Sequence, residues 1–360
     1  MRAGNKGMSG STFNLWVFGD AHVGTDLKNG RASLADALRD SERSQWAFEW
    51  DVALDVGDMS GGQSVPEDQE GEEVVRQFGV LRKHPREAIY SVCGNHDRSG
   101  LKEPPAWWWR KWIDPTGMNA RYSRVDPARR PFPVEGTWER YSFRAGNIIF
   151  LMMSDINEPT QEVGRGDLGG NPGGVVSRET FLWWKKQVET NPGSIIISVH
   201  HYMLKDTTVA SGDWEGLRKD AQGNWIDHYH GYKPRGAPRG ASYLYFVGSR
   251  PDSGAFEHYL AKHPGAVSVW LGGHTHAHPD DTCGAKSHVE KKWGTYFINA
   301  ACLSRYHGST NVPKSRLLVF HEGSPEVRVR CFMHTDEFLP KGWYDRAEKR
   351  LMLDRPFSML

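Results

Sequence analysis

The run Phe13-Asn14-Leu15-Trp16-Val17-Phe18 is apolar, has the length of a strand, and stops at Gly19-Asp20-Ala21-His22. This is the pattern of a buried strand that delivers polar side chains at its C-terminal edge. The pattern recurs along the chain. Trp50 to Val56 stops at Gly57-Asp58, and Ala88 to Cys93 stops at Gly94-Asn95-His96-Asp97. Ser194 to Val199 stops at His200-His201, and Ala266 to Leu271 stops at Gly272-Gly273-His274-Thr275-His276. Taken singly, each cluster reads as a turn, a strand exit or a helix cap. Taken together, all of them choose residue types that ligate metals, which independent turns have no reason to do.

Between the first three runs, Ser33 to Trp46 and Glu67 to Lys83 read as helices, the second with apolar positions at Val74, Val75, Phe78 and Leu81. Strand, helix, strand, helix, strand implies right-handed crossovers and parallel neighbours, so successive strand ends share one sheet edge. Tyr141 to Ala145 and Ile148 to Met153 flank Gly146-Asn147, a hairpin signal. Ser177 to Val188 reads as a helix, and Arg316 to His321 with Glu326 to Phe332 as a last strand pair. The expected class is therefore α/β with a mixed sheet.

The expected organisation is a flexible lead over 1–11, one domain over 12–335, and a C-terminal extension over 336–360. Two stretches are long for simple connections and read as insertions: about 103–139, rich in Pro, Trp and Arg, and about 203–250, rich in Gly and aromatics. Gly164 to Gly174 reads first as a flexible loop, with an anion-binding nest as the alternative.

Lys plus Arg number 45 and Asp plus Glu 44 in 360 residues, so there is no general electrostatic pull toward nucleic acid or anionic membrane. Cys93, Cys283, Cys302 and Cys331 form no CxxC pair, which disfavours a disulfide scaffold or a zinc ribbon. No apolar export segment follows Met1, and the expected location is cytoplasmic.

The ordered motifs Asp20-x-His22, Gly57-Asp58, Gly94-Asn95-His96-Asp97, His200 and Gly273-His274-x-His276 resemble the signature of the calcineurin-like metallophosphoesterases. The resemblance implies a four-layer αββα sandwich of two mixed sheets. It also implies a pair of metal ions: Asp20, His22 and His276 on one, Asn95, His200 and His274 on the other, and Asp58 bridging. Oxygen and imidazole donors without thiolate suit Mn, Fe, Zn or Ni, as divalent or mixed-valence ions. Retention of His22 disfavours the purple acid phosphatase subgroup.

The implied chemistry is hydrolysis of a phosphate ester, in which cations roughly 3.5–4 Å apart neutralise phosphoryl oxygens and supply a bridging hydroxide. His96, beside Asn95, is the candidate general acid for the leaving oxygen, against the alternative of a packed helix-cap histidine. Asp97 reads as a loop-positioning residue that accepts backbone N–H groups. His201 either reaches substrate or packs beneath the site.

The Ser/Thr protein phosphatases of this superfamily carry Gly-Asp-x-Val-Asp-Arg-Gly and Arg-Gly-Asn-His-Glu. Here the stretches are Gly57-Asp58-Met59-Ser60-Gly61-Gly62 and Cys93-Gly94-Asn95-His96-Asp97, without those arginines. A small-molecule phosphate mono- or diester is the expected substrate, with a nuclease and a non-catalytic interaction module as alternatives. Arg305 and His307 are candidate substrate contacts, set against ordinary surface residues. Trp107, Trp108, Trp109 and Trp112 read as insertion core, with base or sugar stacking as the alternative.

Overall fold

A computed structural model describes residues 11–61, 65–100, 102–156, 174–212, 217–219, 225–227, 243–282, 285–305, 312–337 and 340–359. The runs read from the sequence form strands β1 (Thr12–Phe18), β2 (Val52–Asp55), β3 (Ile89–Ser91), β4 (Ile148–Met153), β5 (Ile195–Val199) and β6 (Val269–Gly272). β1, β2 and β3 lie side by side and parallel, with Val17 opposite Leu54 and Leu54 opposite Tyr90. Lys314–His321 then runs antiparallel along the other edge of β1, and Glu326–Met333 antiparallel to it, giving a mixed seven-stranded sheet. The second seven-stranded sheet runs Val289–Lys292, Thr295–Asn299, β6, β5, β4, Arg140–Ala145, Glu135–Gly136. Its β4 pairs with Arg140–Ala145 as the hairpin expected around Gly146.

Side-chain alternation along each strand builds the layers. Leu15, Val17, Val52 and Leu54 of the first sheet meet Phe150, Met152, Ile195, Ile197, Val269 and Leu271 of the second in one inter-sheet core. The intervening residues face outward. Trp16, Phe18 and Ala53 lie under helices α1 (Ser33–Ser41), α2 (Asp68–Phe78) and α3 (Trp107–Trp112). Ile149, Leu151, Ile196 and Trp270 lie under α4 (Arg178–Thr190) and α5 (Ala255–Lys262). The fold is the four-layer αββα sandwich.

The boundaries differ in places. The helix expected over Ser33 to Trp46 stops at Ser41, because Glu42 turns its carboxylate to the backbone N–H groups of Arg82, Lys83 and His84 at 2.8–2.9 Å. Trp108, Trp109 and Trp112 are buried in the helix-side core, with indole N–H groups of Trp108 and Trp112 bonded to Glu67 and Asp68. Packing, not stacking on a ligand, accounts for them. The stretch expected as a C-terminal extension is integral to the first sheet. Gly342–Trp343 and Lys349–Met352 both pair with Glu326–Met333, and Phe357 stacks on Phe13 with ring centroids 5.7 Å apart. Residues 1–10, most of Gly164 to Gly174, and 213–216, 220–224 and 228–242 of the second insertion lie outside the described residues. Among the described residues, no helix is long and apolar enough to cross a membrane.

Candidate metal centre

The turns after β1 and β2 are zipped together before any side chain is considered. Asp20 N–H donates to Gly57 O at 2.8 Å, His22 to Asp58 O at 3.0 Å and Val23 to Met59 O at 2.8 Å. Asp97 ties in the third turn: its carboxylate accepts from the N–H groups of Asp58, Gly94 and Ser60 at 2.8–2.9 Å. The loop-positioning role read from the sequence is thus the one its hydrogen bonds describe. Asp20, His22, Asp58 and His274 all adopt positive φ, between 42° and 68°. Each such residue costs on the order of 1–3 kcal/mol, and such strain concentrates at functional sites. Gly94 has no room for a side chain, since a Cβ there would lie 2.2 Å from Asp58 Oδ1.

These turns bring buried donors to one place. His276 Nε2 lies 2.9 Å from Asp20 Oδ1 and 3.2 Å from His22 Nε2. Beside them, His201 Nε2 lies 3.1 Å from both Asp58 Oδ2 and Asn95 Oδ1. Ligand atoms of Asp20, His22 and His276 fall within 4.8 Å of one another, as do those of Asp58, His201 and His274. Asp58 also groups with His22 and His96, which places it between the two sets. The far nitrogens fix the tautomers: Nδ1 of His22 bonds Ser60 O at 3.0 Å, and Nδ1 of His201 bonds Val56 O at 2.8 Å. Each Nε2 is thereby turned inward, toward carboxylate oxygen or a second imidazole. These residues would hold a cation among them, and the oxygen and imidazole donors fit a first-row divalent metal.

The sequence reading of His200 as a ligand is corrected by the register of β5. Ile195, Ile197 and Val199 face the inter-sheet core, so period two carries His201 to the donor cluster and His200 to the opposite side. There His200 Nε2 lies 2.7 Å from Asp155 Oδ1, both fully buried. Asp155 was missed, although it stands beyond the end of β4 as Asp20 stands beyond β1. Its carboxylate also accepts Val175 N–H at 3.0 Å. The alternation of β5 was the available signal for His201.

His96 is buried beside His22 and Asp58. Its N–H donates to Asp58 Oδ1 at 2.8 Å, its Nε2 is 3.9 Å from Asp58 Oδ2, and its ring stands edge-on to His22 at 4.9 Å. Arg305 is next to Ser304, whose N–H reaches Asp20 O at 3.3 Å, but the guanidinium pairs with Glu337. His307 lies outside the described residues.

Burial, partly countered by His201 and reinforced by Asp58, pushes the Asp20 carboxyl up to about 7. Burial and the Asp58 charge do the same to Asp97, at about 7. Burial also acts on Asp58, but the charges of His201 and His96 override it and hold this carboxyl well below the usual range. Burial would lower His201, yet the charge and hydrogen bond of Asp58 raise it to about 10. A metal bound there would compete with the protons that the raised values of Asp20 and His201 favour.

A mixed αββα sandwich with Asp, His and Asn donors gathered at the strand ends defines a metallophosphoesterase. The family model described as calcineurin-like phosphoesterase matches residues 13–278, and the chain belongs to that family. Among solved structures, a conserved uncharacterised protein of Streptococcus pneumoniae TIGR4, titled a predicted phosphoesterase, is similar at 10% identity and a TM-score of 0.34. That match covers 95% of this chain and 98% of the other. Vps29 of Entamoeba histolytica is similar at 13% identity and TM-score 0.32, over 95% and 100% of the two chains. Chaetomium thermophilum Vps29 is similar at 8% identity and TM-score 0.30, over 96% and 97%. No curated protein matches the chain.

Proposed function

We propose that this chain is a dinuclear metal-dependent phosphoesterase acting on a phosphate mono- or diester of a small molecule. The observation that supports this reading is the convergence of Asp20, His22 and His276 beside Asp58, Asn95, His201 and His274 at one sheet edge. The first set would hold one cation, Asn95, His201 and His274 the other, and Asp58 both. Mn, Fe, Zn or Ni bound there supplies Lewis acidity toward the phosphoryl oxygens and lowers the pKa of a coordinated water.

The remaining work falls to side chains. Asp58, held at Oδ1 by His96 N–H, keeps the two donor sets in register. His22 and His201 are fixed by carbonyl partners, so their Nε2 atoms do not rotate away. His96 Nε2, beside Asp58 and outside the seven donors assigned to the cations, gives its proton to the departing alkoxide. The near-neutral charge favours a small substrate over a nucleic acid.

The test is turnover of p-nitrophenyl phosphate, bis-p-nitrophenyl phosphate and single-stranded nucleic acid by metal-stripped chain resupplied with Mn²⁺, Zn²⁺, Fe²⁺ or Ni²⁺. Ester hydrolysis restored by at least one metal, and abolished by Asp58→Ala, is expected. Preference for nucleic acid would replace the small-molecule reading, and inactivity with every metal and substrate would overturn the enzymatic one.

A further inference from the structure

The strand Lys314–His321 carries two fully buried cations, Lys314 and Arg316, on the face that Leu318 and Phe320 turn into the inter-sheet core. Arg316 donates Nη1–H to Ala347 O at 3.3 Å, while its Nε and Nη2 are buried with no hydrogen-bond partner. Lys314 Nζ is in the same condition. A guanidinium stays charged in any protein, so it cannot relieve burial by losing a proton. Burying such a charge is strongly unfavourable unless an anion joins it.

Arg316 lines a cleft of about 220 Å³, whose lining includes none of the metal-centre donors, together with His288, Arg346, Lys349 and the acidic pair Asp280 and Asp281. Asp280 is engaged at the rim, 2.5 Å from the Tyr344 hydroxyl and 3.5 Å from Arg346 Nη1. Neither carboxylate bonds the free edge of Arg316. The buried His288 donates Nε2–H to His278 O at 2.7 Å, and its Nδ1 has no partner. With Nε2 carrying the proton, Nδ1 is an acceptor. Arg316 and His288 line the same cleft, and two guanidinium N–H donors together with an imidazole acceptor suit an oxyanion that itself retains a hydroxyl. A hydrogen phosphate has that composition and a deprotonated carboxylate does not.

We propose that this cleft is a hydrogen-phosphate site, distinct from the metal centre, that takes inorganic phosphate or the phosphoryl head of a small phosphomonoester. Arg316 is its charged anchor, and His288 Nδ1 accepts the phosphate hydroxyl.

Crystals of the full chain soaked in arsenate, which shares phosphate's charge and shape, locate the ion by anomalous scattering. A peak within hydrogen-bond reach of Arg316 Nε and Nη2 is expected; no peak there, or one confined to the metal centre, overturns the site. In solution, calorimetry with phosphate should show binding that survives Asp58→Ala and falls about tenfold or more in Arg316→Met. Unchanged binding in Arg316→Met overturns the proposal. If that variant does not fold, Arg316→Lys, which keeps the charge and loses the fork, should show the same direction of loss. Glycerol 3-phosphate binding more tightly than phosphate assigns a phosphomonoester, and the reverse assigns the free ion; binding of neither overturns the site.

Discussion

His96 and Asp58 share one hydrogen bond through the backbone and face each other through side chains, so their roles separate by substitution. His96→Ala leaves the donors of the cation sites in place. It should therefore preserve metal content while slowing esters with alkoxide leaving groups by about 10²-fold or more, and p-nitrophenyl esters far less. Equal slowing of both would remove His96 as the proton donor. The titrating groups give a second expectation. The folded pKa of Asp20 is raised to about 7 and that of His201 to about 10. A raised value means that the stability each contributes is present below its unfolded pKa and is lost as pH rises through the folded one. Metal-free chain should thus weaken as pH climbs from about 4 to about 10, while metal, which would replace those protons, should bind more tightly over the same window. Thermal melts with and without metal should diverge with rising pH. A gap that stays constant or narrows would contradict this account.

The turns that carry the donors depend on glycines where three of them meet. A Cβ at Gly94 would press on Asp58 Oδ1, whereas one at Gly193 would meet nothing within 4 Å. Gly94→Ala should lower metal affinity roughly ten- to hundredfold, and Gly193→Ala should leave it unchanged; equal affinity in both variants would deny that the turn positions Asp58. Elements of this kind were legible because their signals are local. An apolar run, a Gly and a ligand residue lie next to one another in β1, β2, β3 and β6. The choice between His200 and His201 was legible only from the alternation of Ile195, Ile197 and Val199, a step that motif order alone does not contain. Asp155 was hidden because Ser154, not a glycine, separates it from β4, whose own signal is the hairpin at Gly146. The early end of α1 at Ser41 answers to Glu42 meeting residues 82–84, a contact no local window holds.

Across the whole molecule, the αββα layering arises from period-two strands alternating with amphipathic helices, and the family match over residues 13–278 agrees with it. What composition could not announce is how the C-terminal stretch closes the first sheet, since pairing of Lys349–Met352 with Glu326–Met333 is a long-range event. The same non-local folding draws residues from 20 to 276 into one donor cluster. Metal stoichiometry in the wild type, His200→Ala and His201→Ala, each reconstituted with Mn²⁺ and measured by mass spectrometry, tests that cluster directly. Two ions per chain in the wild type and in folded His200→Ala, with fewer in His201→Ala, is the expected result. No bound metal in the wild type, or loss confined to His200→Ala, would contradict it.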